Sequence, residues 1–152
     1  MKHNLGLQLT VGLKVVKSGV PEVINIRNKP LFPKPQGAFW SSSYVEGKSD
    51  WVRWCESEDH DVPDVWEGIL IKPNHDANII TIDTLDDLLK IADKYAVYVP
   101  GIDFMHGYDF EQMQKDGIDA IHLTKEGQER TRYTEPTSLY VWDCESTRWL
   151  YP

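Results

Sequence analysis

The sequence predicts an α+β protein with a small, mostly antiparallel sheet and two to three short helices. Short runs rich in β-branched and aromatic residues recur along the chain, few segments carry helical spacing, and Pro, Gly and Asn interrupt them. With 152 residues, the chain fits one domain, since a single core commonly spans ~100–200 residues. We therefore expect one domain over residues 1–152.

The first part of the chain is predicted to be extended. Residues 5–13 alternate apolar residues with glycine or polar ones, which is typical of a strand and unlike the apolar segment of a signal peptide. A second strand over residues 23–27 ends at a proline-rich segment, because proline does not continue a central strand. After Gly37 the chain extends again through residues 38–44, AFWSSSY.

A helix and then a hairpin are predicted next. Ser49 is a typical N-cap, and two tryptophans and a cysteine follow at helical spacing, which indicates a helix over residues 49–58. Two β-branched runs, residues 66–73 and 77–83, are separated by a short polar link. This pattern predicts a hairpin.

The second half is predicted to contain two helices and two strands. A capping-box pattern and leucines on one face indicate a helix over residues 84–95. Residues 109–115 indicate a shorter helix that ends at Asp-Gly, and residues 118–123 a strand. Residues 124–138 are charged and aperiodic, which predicts a surface loop or a weak two-piece excursion. Residues 139–145, and then 149–150, predict a last strand.

Composition limits the class of function. A net charge of -8 argues against a broad basic surface for nucleic-acid backbones. No run of 18 apolar residues is present, so we expect no transmembrane helix and no membrane partner. With no secretory signal, the two cysteines are expected to be free thiols of a cytoplasmic protein.

The sequence patterns of several common functional sites are absent from this chain. The five histidines do not form a metal-binding spacing such as HExxH, and no phosphate-binding glycine loop or GxSxG elbow occurs. We therefore expect no metal site. Cys144 with His122 on a neighbouring strand would make a thiol–imidazole pair, although a buried structural cysteine is the commoner outcome.

One ordered pattern of polar residues remains. Its members lie at or near the ends of predicted strands and are Arg27, then Trp40-Ser41-Ser42-Ser43, then Asp143-Cys144-Glu145. Arginine, then an aromatic residue with serines, then acid-x-Glu resembles the Arg–Ser–Glu arrangement of the mono-ADP-ribosyltransferases. The segments DGIDAIHLT and LYVWD are similar to the carboxy-terminal half of the phage and toxin members of that superfamily.

The resemblance implies a split antiparallel sheet that binds NAD as a substrate. Arg27 would contact the phosphate or ribose of NAD, for which a guanidinium provides a planar fork. Ser41, Ser42 and Ser43 would order the site. Either Trp40 or Tyr44 would stack on the nicotinamide ring.

The resemblance also implies the catalytic groups. Breaking the bond between nicotinamide and ribose develops positive charge on the sugar, which a nearby carboxylate stabilises. Glu145 would be that carboxylate, and Asp143 would aid a macromolecular acceptor that the pattern does not identify. Glu135, just before the predicted last strand, is an alternative acid.

A non-catalytic function is the main alternative. The net charge of -8 and the acidic segment over residues 56–61 are also typical of a small binding or inhibitor module that docks on a protein partner. In that case the serines would be turn residues, and Asp143 and Glu145 would be surface charges.

Overall fold

The structure, a computed structural model, describes residues 5–11, 25–28, 34–58, 68–98, 101, 105–135 and 137–151. The strands in these residues are β1 (Gln8–Val11), β2 (Phe39–Val45), β3 (Lys48–Ser49), β4 (Gly68–Ile71), β5 (Ile79–Ile82), β6 (Ala96–Tyr98), β7 (Met105–Tyr108), β8 (Ala120–Leu123) and β9 (Ser146–Trp149). The helices are α1 (Asp50–Ser57), α2 (Leu85–Tyr95), α3 (Phe110–Lys115) and α4 (Lys125–Thr131), and Tyr140–Trp142 form a 3₁₀ helix.

Most strands belong to one sheet with the order β4-β1-β2-β9-β8-β5, in which β3 also pairs with β2. Strands β6 and β7 form a separate antiparallel pair. The pairing of β5 with β8 is parallel, and the other pairs between described strands are antiparallel. The predicted α+β class with a mostly antiparallel sheet is therefore confirmed, with four α-helices in the described residues where two to three were expected.

Three helices were predicted correctly, two of them from capping signals and the third from its Asp-Gly end. The Ser49 side chain accepts a hydrogen bond from the backbone N–H of Val52 and caps α1. Thr84 and Asp87 form a reciprocal capping box at the start of α2. Asp109 accepts from the N–H of Gln112 at the start of α3. Each of these signals depends on contacts within four residues, so the sequence alone contains them.

The predicted hairpin over residues 66–83 is wrong. Strand β4 pairs with β1 and strand β5 pairs with β8, so the two lie at opposite ends of the sheet order. The polar link does form a turn, in which Ala77 donates its N–H to the carbonyl of Asn74. Both runs find their partners elsewhere in the chain, because long-range pairing and not the turn decides which strands lie side by side.

The predicted loop over residues 124–138 contains helix α4, so that prediction is also wrong. Thr124 caps the helix by accepting from the N–H of Gly127. A Cβ atom at Gly127 would lie 2.1 Å from the carbonyl oxygen of Ile82, so only glycine lets α4 approach strand β5 this closely. The helix depends on this tertiary contact, which no local period reveals.

The first part of the predicted last strand, residues 139–145, contains the 3₁₀ helix and no strand, whereas Trp149 of its second part does lie in β9. Leu139 and Trp142 are buried in the main core, and the carboxy-terminal strand begins only at Ser146. Between them Asp143 has φ 66 and ψ -51, a positive-φ conformation that is uncommon outside glycine. Asp143 and Glu145 therefore do not lie on one strand.

The sheet has two different faces. Helix and sheet side chains form the main core on one face, including Leu88, Phe110, Ile121, Leu123 and Trp142. On the other face a smaller cluster contains Phe39, Ala120 and Trp149, with the Phe39 and Trp149 rings stacked 5.9 Å apart. Because side chains alternate along a strand, Trp40 and Ser42 of β2 lie on the face that carries the main core.

The strands predicted at residues 5–13 and 23–27 fall partly outside the described residues. The first is seen as β1, and in the second Arg27 forms an isolated antiparallel bridge with Gln36. Among the helices that the structure describes, none is long and apolar enough to cross a membrane.

Candidate functional site

The candidate site begins where β2 and β9 separate. In their antiparallel register, Phe39 faces Trp149 and Ser41 faces Thr147. The same register, continued by two residues, brings Ser43 opposite Glu145. Both carboxylate oxygens of Glu145 accept from the Ser43 N–H, each at 3.0 Å. The serine segment and the glutamate that the resemblance linked are thus in direct contact.

Glu145 is a buried carboxyl group, 6% exposed. Burial is the largest cause that raises the pKa of this carboxyl from its ordinary 4.5 to about 7, and the nearby Asp50 carboxylate raises it as well. The Ser43 amide and the hydroxyls of Ser42 and Ser43 favour the ionised form but do not compensate for burial. At neutral pH the group therefore exists in both protonation states, as a general acid or base requires.

A cavity of about 290 Å³ gives access to Glu145. Its walls come from α1, from α4 and from the turn before β9, and they include Asp50, Trp54, Gln128 and Asp143. Gln128 is buried, and among the described residues its Nε2 atom has no hydrogen-bond partner. Buried amide donors are normally satisfied, so this unpaired donor in the cavity wall is unusual.

A second cavity, of about 210 Å³, lies beside the first and shares Trp54, Asp143 and Cys144 with it. Four of the six tryptophans line it: Trp40, Trp51, Trp54 and Trp142. The Trp40 and Trp51 rings are 5.1 Å apart at an angle of 44°. Helix α1 is held at this position because the Ser42 hydroxyl accepts the backbone N–H of Trp51.

Two cations complete the second cavity. The Arg148 guanidinium lies 5.4 Å from the centre of the Trp142 ring, and Lys34 pairs with Asp143 at 3.4 Å. Burial lowers the pKa of Arg148 to about 10, so its guanidinium remains charged at neutral pH. Burial, and next the charge of Arg148, lowers the pKa of Lys34.

The opposite face of the sheet carries a buried hydrogen-bond network. The Gln8 side chain donates to the Ser43 hydroxyl at 3.0 Å and accepts from Ser41 and Thr147 at 2.8 and 3.2 Å. Trp149 donates its indole N–H to Ser41 at 2.9 Å. Ser41 and Ser43 therefore position the end of β2 through Gln8, whereas Ser42 faces α1.

The structure does not bring every predicted residue to the site. Arg27 has a 64% exposed side chain and pairs with Glu111 at 3.4 Å, and it lines neither cavity. Tyr44 lies near the β2–β3 turn, and its hydroxyl would be 3.9 Å from a Cβ atom added to Gly47. It also lines neither cavity. Asp143 lines both. Glu135 is exposed.

The sequence patterns do not indicate the residues that complete the two cavities. Arg148 lies close to the predicted last strand, and Gln128 lies in the segment predicted as a loop. The aromatic spacing of α1 did predict that Trp51 and Trp54 share one side of the helix, and both line the second cavity. A buried arginine or glutamine has no sequence signal of its own, because burial depends on the fold.

The thiol–imidazole alternative finds no support at Cys144. Burial, and next the neighbouring Glu145, raises the pKa of this thiol to about 12, so it is protonated at neutral pH. His122 directs its Nδ1 to the Thr147 hydroxyl at 2.8 Å. Cys144 and Cys55 are both free and buried.

The acidic segment proposed for partner docking is only partly described. Glu56 and Glu58 are exposed at the end of α1, and residues 59–61 lie outside the described residues. Within the described ranges, no group of three or more His, Cys, Asp or Glu side chains has an arrangement that would hold a metal ion. The chain matches no protein-family model, no curated protein and no solved structure.

Proposed function

We propose that this protein binds NAD and cleaves its nicotinamide–ribose bond, transferring ADP-ribose to a macromolecular acceptor or to water. The observation that carries the proposal is the Glu145 carboxylate, buried, bound by the Ser43 amide and open to a cavity. A carboxylate in this setting is suited to stabilise positive charge that develops beside it.

The chemistry uses Glu145 in its ionised form. The bond between C1 of the ribose and the ring nitrogen breaks, and both electrons leave with nicotinamide, which departs as a neutral molecule. The sugar carries the positive charge, next to the Glu145 carboxylate. The oxygen of a hydroxyl or of water, or the nitrogen of an amine, then bonds to C1, and the proton that it loses passes to solvent water.

The size of the cavities supports a ligand that occupies both. Pockets for small molecules usually measure ~300–1,000 Å³, and the two cavities measure about 290 and 210 Å³. A dinucleotide therefore needs both. Trp54 and Asp143 form the shared wall, and the indole rings offer flat surfaces for its two bases.

Nicotinamide release from NAD by the purified protein tests the proposal. Glu145→Gln keeps the size of the side chain and removes its charge, so release should fall at least about a hundredfold, the usual effect of losing one electrostatic group at a reacting centre. Glu135→Gln is the matched control and should retain wild-type release. Release by E145Q at the wild-type rate, or no release by the wild type, contradicts the proposal.

Arg27 is the residue for which the resemblance and the observed geometry disagree. The resemblance assigns it to NAD, whereas the structure gives it an exposed ion pair with Glu111. Exposed pairs contribute little, so we expect Arg27→Ala to leave nicotinamide release within about twofold of wild type. A loss of nicotinamide release as large as that of E145Q would show that Arg27 acts in the site.

A further inference from the structure

The second cavity carries an unbalanced positive charge. Among its described lining residues Arg148 and Lys34 are cations and Asp143 is the one acidic side chain, which leaves an excess of one positive charge. Cys144 does not compensate, because its pKa of about 12 keeps the thiol neutral. This local excess is notable in a chain whose net charge is -8.

Among the described residues, Arg148 has no hydrogen-bond partner for its Nε atom, which is buried although the side chain as a whole is half-buried. Asp143 is near enough to act on its charge, but that carboxylate is paired with Lys34 at 3.4 Å. The contact of its guanidinium with the Trp142 ring satisfies none of its N–H donors. A cation whose donor atom is desolvated and has no hydrogen-bonded counter-charge is costly, so an anion bound beside Arg148 would offset that cost.

The walls of the cavity select for a flat group. The tryptophan rings present apolar faces, and a cavity of about 210 Å³ exceeds the ~150 Å³ that holds one benzene molecule. The remaining space suits one small charged group beside a ring. A guanidinium binds planar or tetrahedral oxyanions through two parallel hydrogen bonds, which a point charge does not reproduce.

We propose that the cavity between Arg148, Lys34 and the four tryptophans binds an oxyanion, phosphate or carboxylate, carried by an aromatic ring. The ring lies against the indole faces, and the oxyanion accepts hydrogen bonds from Arg148, with Lys34 at the edge. This binding does not rest on cleavage of NAD, because Glu145 does not line the second cavity.

Tryptophan fluorescence measures the binding directly, since four of the six tryptophans line the cavity. We expect phenyl phosphate, nicotinate or both to quench the fluorescence with a Kd below about 1 mM, a modest affinity for one charged anchor. Phenol and nicotinamide, which keep the rings without the anion, should bind at least about tenfold more weakly. Binding of phenyl phosphate alone identifies phosphate, and binding of nicotinate alone identifies carboxylate.

Two variants test the role assigned to Arg148. Arg148→Lys keeps the charge but removes the fork and should weaken anion binding about ten- to a hundredfold, the range for hydrogen bonds to charged groups. Lys34→Gln should weaken it less. Arg130→Gln, at an exposed arginine that reaches the carbonyl of Asp83 at 3.4 Å, is the matched control and should bind like the wild type.

The proposal is overturned if neither anion binds with a Kd below about 1 mM, if the neutral rings bind equally well, or if R148K and K34Q both bind like the wild type. A guanidinium that serves only to pack against Trp142 gives the last result. Anion binding without nicotinamide release refutes the proposed function alone. Nicotinamide release without anion binding in the second cavity refutes this inference and the placement of NAD across both cavities, but not the cleavage of NAD.

Discussion

Replacing Glu145 with glutamine should stabilise the fold by an amount that grows with pH. The folded protein holds this carboxyl with a pKa of about 7, above its ordinary 4.5. A group whose pKa is raised by folding favours the folded state below its unfolded pKa, and that contribution is lost as pH rises through the folded pKa. Ionised Glu145 is therefore a cost to folding at neutral and alkaline pH.

The size of the effect follows from the two pKa values. They differ by about 2.5 units, and each unit corresponds to ~1.36 kcal/mol. The free energy of unfolding of the wild type should thus fall by about 3 kcal/mol, relative to E145Q, between about pH 4 and about pH 8. Functional sites commonly contain a buried charged group that lowers the stability of the fold.

Urea unfolding of the wild type and E145Q at a series of pH values measures this difference. Glutamine has one carbonyl oxygen for the Ser43 N–H, which adds an offset that does not vary with pH. Glu135→Gln removes a carboxylate from an exposed position and corrects for the general effect of losing one negative charge. A difference between E145Q and wild type that stays constant from about pH 4 to about pH 8, after this correction, would refute the reasoning.

Three further predictions concern the scaffold around the site. Gly127→Ala should lower the free energy of unfolding by about 1–3 kcal/mol, because the added methyl meets the backbone of β5. Gly6→Ala should not lower it, because a Cβ at Gly6 meets nothing within 4 Å. Urea titration of the two variants measures the difference. Gln8→Ala should cost at least about 2 kcal/mol by leaving two buried hydroxyls without their acceptor, and an unchanged denaturation midpoint would contradict the network. In the native protein Cys144 should resist iodoacetamide at neutral pH, because its thiol has a pKa of about 12. Mass spectrometry measures the labelling, and a labelling rate in the native protein equal to that in urea would contradict this prediction.

Much of the local structure was predictable from the sequence because it depends on short-range contacts. The caps at Ser49 and Thr84 are formed with residues three positions along the chain, and both helices begin where expected. The pairing of strands was not predictable in the same way. Strands β4 and β5 carry similar β-branched sequences, and only the long-range competition for partners assigns one to β1 and the other to β8.

The same distinction between sequence and tertiary packing applies to the candidate site. The order of residue types, with serines after Trp40 and an acid near the end of the chain, is a property of the sequence, and it indicates Glu145 and its serine neighbours. The surroundings of these residues depend on the tertiary structure, which pairs Arg27 with Glu111 and places Arg148 beside tryptophans. Burial and counter-charge arise when distant segments pack together, and those are the properties that set the charge and the pKa of each group.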